Sequence, residues 1–212
     1  RNEYLYPVSS KGHIVYKWAA KPGAEKIIEN KIKDICFSLK AEDYLTLPEM
    51  TKVYHTVEIG SHTRTQYNKL RKDMVLELND DVITAVTAAA LTNKLLQFTS
   101  GSLYLEDGTW LKQHSAKLDY MEDLVDENIP TLVFYHYKAS LAGLKERFPH
   151  ARMLDDNPQT IEDWRQGKIK MLLAHPQSGG IGINLQCNVA DTAQVVWYDL
   201  PWSSENYIQA NA

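Results

Sequence analysis

The sequence predicts an α/β fold, a doubly wound parallel sheet with helices on both faces, preceded by a mainly helical connecting region. Two observations carry this. After Pro130 come four short apolar runs that lack polar alternation, as strands buried on both faces should. Segments of helical period separate them, the βαβ rhythm of a parallel sheet. Before them, most of the apolar residues recur at helical spacing, and only one run alternates.

In chain order, Ala24 to Ser38 sets Ile27, Ile28, Ile32, Ile35 and Phe37 beside Lys26, Lys31 and Lys33, which predicts an amphipathic helix with a basic face. Thr51 to Ile59 places Val53, His55, Val57 and Ile59 on alternate positions and predicts a half-buried strand. Thr63 to Glu77 and Asp81 to Phe98 read as two further helices, the second with a small-residue face from Ala85 to Leu91. Ser115 to Glu127 opens on a Ser N-cap and brings Leu118, Met121, Leu124 and Val125 to one face. The four strand runs are Thr131 to Tyr135, Ala151 to Leu154, Ile169 to Ala174 and Gln194 to Tyr198, with helices expected at Lys138 to Phe148 and Thr160 to Gln166.

Composition bounds the function. With 212 residues, 44% hydrophobic and 24% charged, the chain can bury a real core and is neither disordered nor a disulfide scaffold. Cys36 and Cys187 match neither a disulfide framework nor a zinc site, and no apolar run is long enough to span a bilayer, so a cytoplasmic protein without membrane contact is expected. The chain begins at Arg1 without signal-peptide features, as a fragment would. Net charge is −4, but residues 1–100 carry 14 Lys+Arg against 12 Asp+Glu while residues 101–212 carry 9 against 15. A nucleic-acid partner must therefore meet a local patch.

In a doubly wound sheet, ligands sit at the carboxyl ends of strands. Ser178-Gly-Gly-Ile-Gly-Ile-Asn184 follows an apolar strand there, and its glycines suit either a phosphate-binding nest of backbone N–H groups or a tight turn. It is neither a dinucleotide fingerprint nor a P-loop, and no Gly-Lys-Ser/Thr occurs anywhere. His136 and His175 end two predicted strands, either as a catalytic pair or as surface hydrogen-bonders. Tyr135, Tyr137, Trp197, Tyr198 and Trp202 lie near the same edge and suit base stacking or core packing. Lys138, Lys145, Arg147 and Arg152 form a basic strip, a phosphate-backbone surface or a solvated helix face.

Taken in order, these segments resemble the carboxy-terminal RecA-like lobe of Swi/Snf-type DNA-dependent ATPases of helicase superfamily two. Ser115-x-Lys117-Leu118 opens a helix, and Thr131-Leu-Val-Phe-Tyr-His136 is similar to the fourth helicase motif. Met153-Leu-Asp-Asp156 follows, then Gly179-Gly-Ile-Gly-Ile-Asn-Leu185, which resembles the fifth. Ala190-Asp191, Val195-Val196, Asp199, Trp202 and Gln209-Ala210 fall in the order seen before the sixth. Leu200-Pro-Trp-Ser-Ser-Glu-Asn-Tyr-Ile-Gln209 is closer to phage and bacterial members. Ser178 stands where the family usually has Ala, and Pro176-Gln177 where it usually has Thr-Arg.

The resemblance implies residues 1–50 as the tail of lobe one with a helical linker, 51–114 as the entry strand and helical protrusion of lobe two, and 115–212 as the RecA-like lobe, ending before the sixth motif. It implies that Gly180, Gly182 and Asn184 approach the nucleotide, and that Tyr135, His136, Thr160 and Ser178 lie on the DNA side. ATP and Mg belong to the intact parent and are not expected to bind this fragment stably. The partners implied are double-stranded DNA and the amino-terminal lobe of the same chain, in a bacterial cell or phage-infected host. Alone, the fragment is expected to be inactive. The readings left open are a non-catalytic nucleic-acid or protein interaction module with a RecA-like fold, and an unrelated α/β enzyme that binds a sugar-phosphate.

Overall fold

The computed structural model describes residues 3–33, 35–36, 51–78, 81–179, 185–187 and 193–211. The chain divides into two compact units, Arg1–Tyr54 and His55–Ala212.

The first unit holds an antiparallel hairpin, β1 (Leu5–Lys11) and β2 (Ile14–Ala20), followed by helix α1 (Ala24–Ile32). The hairpin corrects the expectation of a mainly helical start. Its turn is set by Gly12, whose φ of 61° lies in the left-handed region that glycine adopts without Cβ strain. Helix α1 lies where the isoleucine spacing predicts one. Within this unit Ala24 is the buried residue of α1, while Ile27, Ile28 and Ile32 are all exposed.

Residues 51–60, which run across the boundary into the second unit, have no regular secondary structure and pair in no sheet among the described residues, so the expected strand at 51–59 has no ladder partner. Its alternation survives in part, since Val57 and Ile59 turn inward while Val53 and Tyr54 are exposed. Helix α2 (Ser61–Asp73) stops at Met74, a non-glycine residue at φ 58°, whose N–H closes the last turn on the Leu70 carbonyl. Next come β3 (Val75–Leu78) and β4 (Asp81–Thr84), an antiparallel pair where the sequence reading placed helix. Helix α3 (Ala88–Thr99) starts only at the Thr87 N-cap, whose hydroxyl accepts from Ala90 N–H at 3.1 Å. A second small hairpin, β5 (Ser102–Tyr104) with β6 (Trp110–Lys112), completes this region. Leu70, Leu76, Ile83, Phe98 and Leu103 form its core.

The parallel sheet is built as expected. It contains β7 (Thr131–Phe134), β8 (Arg152–Met153), β9 (Met171–Ala174) and β10 (Gln194–Trp197), in spatial order β10-β7-β9-β8 with every neighbouring pair parallel. All eight residues of β7 and β9 are buried, which explains their unbroken apolar sequence. Successive side chains alternate between two cores. Val133, Met171 and Leu173 pack with Leu118 and Met121 of α4 (Ala116–Leu124) and with Leu144 of α5 (Lys138–Arg147). Leu132, Phe134, Leu172 and Ala174 pack with Trp164 of α6 (Pro158–Arg165), with Ala210 of α8 (Ser204–Ala210) against the edge of that core. Helices thus cover both faces. A short turn of helix, α7 (Pro176–Gly179), follows β9.

Candidate functional site

The parallel strands deliver Tyr135-His136, His175 and Tyr198-Asp199 to one edge. Asp199, 2% exposed, organises it. Its Oδ2 accepts from the His136 N–H at 3.0 Å and the Tyr137 N–H at 3.4 Å, tying the end of β10 to the turn that leads from β7 into α5. Lys117, in the opening turn of α4, donates to the Tyr198 carbonyl at 2.9 Å and lies 3.9 Å from Asp199 Oδ1. Burial lowers the pKa of the Lys117 amine, and the Asp199 carboxylate opposes that shift. The same carboxylate, with burial as the larger cause, raises Tyr198 and pushes Tyr137 up to about 12, so both phenols stay protonated.

The imidazoles of His136 and His175 stack with centroids 5.4 Å apart, and Tyr137 and Tyr135 meet them edge-on from either end. His175 has its pKa lowered, first by burial and then by His136. The edge is also braced from the helical region. Tyr104 accepts from the Ala139 N–H at 2.9 Å, and the Tyr198 hydroxyl donates to the Ser100 carbonyl at 3.3 Å.

Of the residues assigned to DNA, the edge brings Tyr135 and His136 together. Tyr135 is 9% exposed and belongs to the core, whereas His136 is only half-buried. Thr160 lies elsewhere, fully buried in the first turn of α6, with its hydroxyl accepting from Arg152 Nη2 at 2.9 Å. Ser178 falls in α7 directly beyond His175, and its side chain is outside the described residues. Gly180, Gly182 and Asn184 are also outside them. Among the described residues no group of three or more His, Cys, Asp or Glu could hold a metal ion. No described helix is long and apolar enough to cross a membrane.

The basic strip resolves into two kinds of residue. Arg147 is bound to Asp119 at 2.7 Å and to Glu122, and Arg152 pairs with Asp163 at 3.4 Å. Lys138 and Lys145 are exposed, with no ion pair among the described residues. Sequence reasoning missed the central role of Asp199 and Lys117. Their adjacency to strand and helix ends was the available signal, but they stand 82 positions apart in sequence and only the fold pairs them.

No family model matches the sequence. The chain is 38% identical over 182 residues to putative protein p41 of Acyrthosiphon pisum secondary endosymbiont phage 1, a match covering 84% of this chain. The chain spans 39% of that relative's length. Among solved structures, it is similar to the C-terminal part of the Fun30 ATPase domain, with TM-score 0.43, 17% identity, and coverage of 70% of this chain and 71% of that one. It is also similar to the Pyrococcus furiosus Hef helicase domain, with TM-score 0.36, 14% identity, and coverage of 71% and 31%.

Proposed function

We propose that this chain is the carboxy-terminal lobe of an ATP-dependent DNA translocase or helicase of the Swi/Snf type, supplying part of an ATP site and a DNA-backbone surface. One observation carries the reading. The segments that resemble the fourth helicase motif, the start of the fifth and the approach to the sixth, far apart in sequence, lie on or directly after β7, β9 and β10 of one parallel sheet and converge on its carboxyl edge.

Within the reading, the described residues have separable tasks. His136 presents its ring at the edge while Asp199 fixes its backbone. Lys138 and Lys145, exposed on α5 and without an ion pair among the described residues, supply positive charge to a phosphate backbone. ATP and Mg would be shared with the amino-terminal lobe, and Gly180, Gly182 and Asn184 are proposed to face the nucleotide. When bound, Mg-ATP supplies the phosphoryl chemistry. This lobe contributes positioning.

The test uses the longer parent protein and its DNA-stimulated ATP turnover. His136→Ala with Lys138→Ala should reduce the stimulation by duplex DNA while leaving turnover without DNA near wild type. Asn184→Ala should reduce both. Equal loss of basal and stimulated turnover in the His136/Lys138 variant would remove this edge from the DNA surface.

A further inference from the structure

The second unit contains a separate concavity where residues 55–59, α2, the end of α3 and the start of α4 meet. It holds about 250 Å³ and sets His55, Arg64, His114 and Lys117 beside Val57, Ile59 and the Tyr67 ring, with no aspartate or glutamate in the wall among the described residues. The acids nearby are already committed: Glu58 to Arg64, Asp119 to Ser115 and Arg147, and Asp199 to the two backbone amides. Ala116 and Lys117 bring the opening turn of α4 to the wall. That turn has no side-chain cap, because the Ser115 hydroxyl donates to Asp119 Oδ2 at 2.7 Å instead. A pocket with Arg64 and Lys117 in its wall at an uncapped helix start favours an oxyanion on two grounds, the charge of those two side chains and the helix dipole.

The remaining groups fit that ligand. His114 bonds the Phe98 carbonyl through Nε2 at 2.9 Å, so Nε2 carries its hydrogen. Burial, and then Lys117, lower its pKa. His114 is therefore a neutral part of the wall that adds no charge of its own. His55 shares a hydrogen bond with the Tyr120 hydroxyl at 2.7 Å through Nδ1, which leaves Nε2 for a ligand. Arg64 is half-exposed and pairs with Glu58, itself 78% exposed, and an exposed pair of this kind exchanges partners at small cost. Lys117 stays on Tyr198 and Asp199 and acts through its field.

We propose that this pocket is a binding site for a phosphate-class oxyanion, with Arg64, His55 and the first amides of α4 as its donors. The inference is independent of the helicase-lobe reading. Two sources share the chemistry, a free phosphomonoester and a phosphodiester of a nucleic-acid backbone. The volume suits a phosphate carrying a small body, below the usual size of a drug-sized pocket.

The test follows the backbone amide resonances of Ala116 and Lys117 in the 212-residue chain during titration with inorganic phosphate, ribose 5-phosphate or a short DNA duplex. Chloride at matched ionic strength is the control. Saturable shifts are expected with inorganic phosphate. They should weaken about tenfold in Arg64→Gln, the loss of one charge-assisted bond, and strengthen in Glu58→Gln, which frees Arg64. Both positions are exposed enough for the variants to fold. Tighter saturation by ribose 5-phosphate identifies the monoester, and tighter saturation by the duplex the diester; either supports the site. Shifts equal to those in chloride, unchanged in Arg64→Gln, or confined to His136 would overturn it.

Discussion

Replacing Asp199 tests how the sheet edge is held. The side chain is 1% exposed, accepts from the His136 amide at 3.0 Å and more weakly from Tyr137 at 3.4 Å, and lies 3.9 Å from the Lys117 ammonium. A hydrogen bond to a charged group contributes about 1.5–3 kcal/mol. Breaking a buried ion pair costs about 3–5 kcal/mol. Lys117 is 30% exposed and keeps the Tyr198 carbonyl, so the ion-pair figure falls well below its full value here. Asp199→Ala should therefore cost about 3–4 kcal/mol, a large share of the roughly 5–15 kcal/mol of a typical domain. Asp199→Asn retains an acceptor for His136 and should cost about 1–2 kcal/mol. Urea unfolding followed by tryptophan fluorescence measures both. In a double-mutant cycle, Lys117→Met with Asp199→Asn should couple by about 1 kcal/mol. An Asp199→Asn variant within about 0.5 kcal/mol of wild type, or strict additivity with Lys117→Met, would refute the latch.

Other outcomes follow from single contacts. Gly101 has φ +103°, and a Cβ there would sit 2.7 Å from the His114 carbonyl, a backbone atom that cannot yield. Gly101→Ala should therefore lose about 2 kcal/mol or more by urea titration. Thr87→Ala removes the α3 cap and should lose about 1 kcal/mol, which Thr87→Ser should largely restore. Trp164 is 1% exposed and its indole N–H donates to the Leu185 carbonyl at 2.7 Å; Trp164→Phe should lose more than the apolar difference, and amide exchange near Leu185 should quicken. His114 and His175 both have lowered pKa values, chiefly from burial, so between pH 7.5 and 5.5 the unfolded chain takes up more protons than the folded one. Stability should fall with pH across that window, measured as melting temperature, and His114→Gln should flatten the slope. The lowered carboxylates, such as Asp119 and Asp163, lose their contribution only at lower pH.

The parallel sheet was legible because its constraint is strong and local. A strand covered on both faces has no position that tolerates a polar side chain, so Thr131 to Phe134 and Met171 to Ala174 announce themselves. The preceding hairpins were not legible for the opposite reason. Val75-Leu-Glu-Leu78 and Asp81-Val-Ile-Thr84 are short, and their apolar positions also fit the helical period of the flanking segments. Only the cross-strand pairing of Leu76 with Ile83 decides between the two, and that contact is tertiary. Residues 51–59 show the converse error. Alternation reports which side chains face inward, and Ile59 does pack beside the Leu70 core, but a strand also needs a neighbour to complete its ladder.

The convergence of Tyr135, His136 and His175 on one sheet edge was legible in the sequence, and the electrostatics of that edge were not. Counting charges along residues 138–152 gives four cations, yet pairing is set by what the fold brings opposite each one. Arg147 projects from the last turn of α5 onto Asp119 and Glu122 of α4, bracing two helices that already approach closely enough for a Cβ on Gly143 to meet Leu118 at 3.0 Å. Arg152 is drawn to Thr160 and Asp163 of α6. Both arginines thus spend their charge within the second unit. Lys138 and Lys145 keep theirs, at opposite ends of α5, two turns apart on the helix that starts where Asp199 anchors the His136 turn. A phosphate backbone meeting this face would be read by two lysines and a histidine, a narrow contact compatible with the net negative charge of the chain. Its salt dependence should correspond to about two released counterions, the slope that two neutralised phosphates produce.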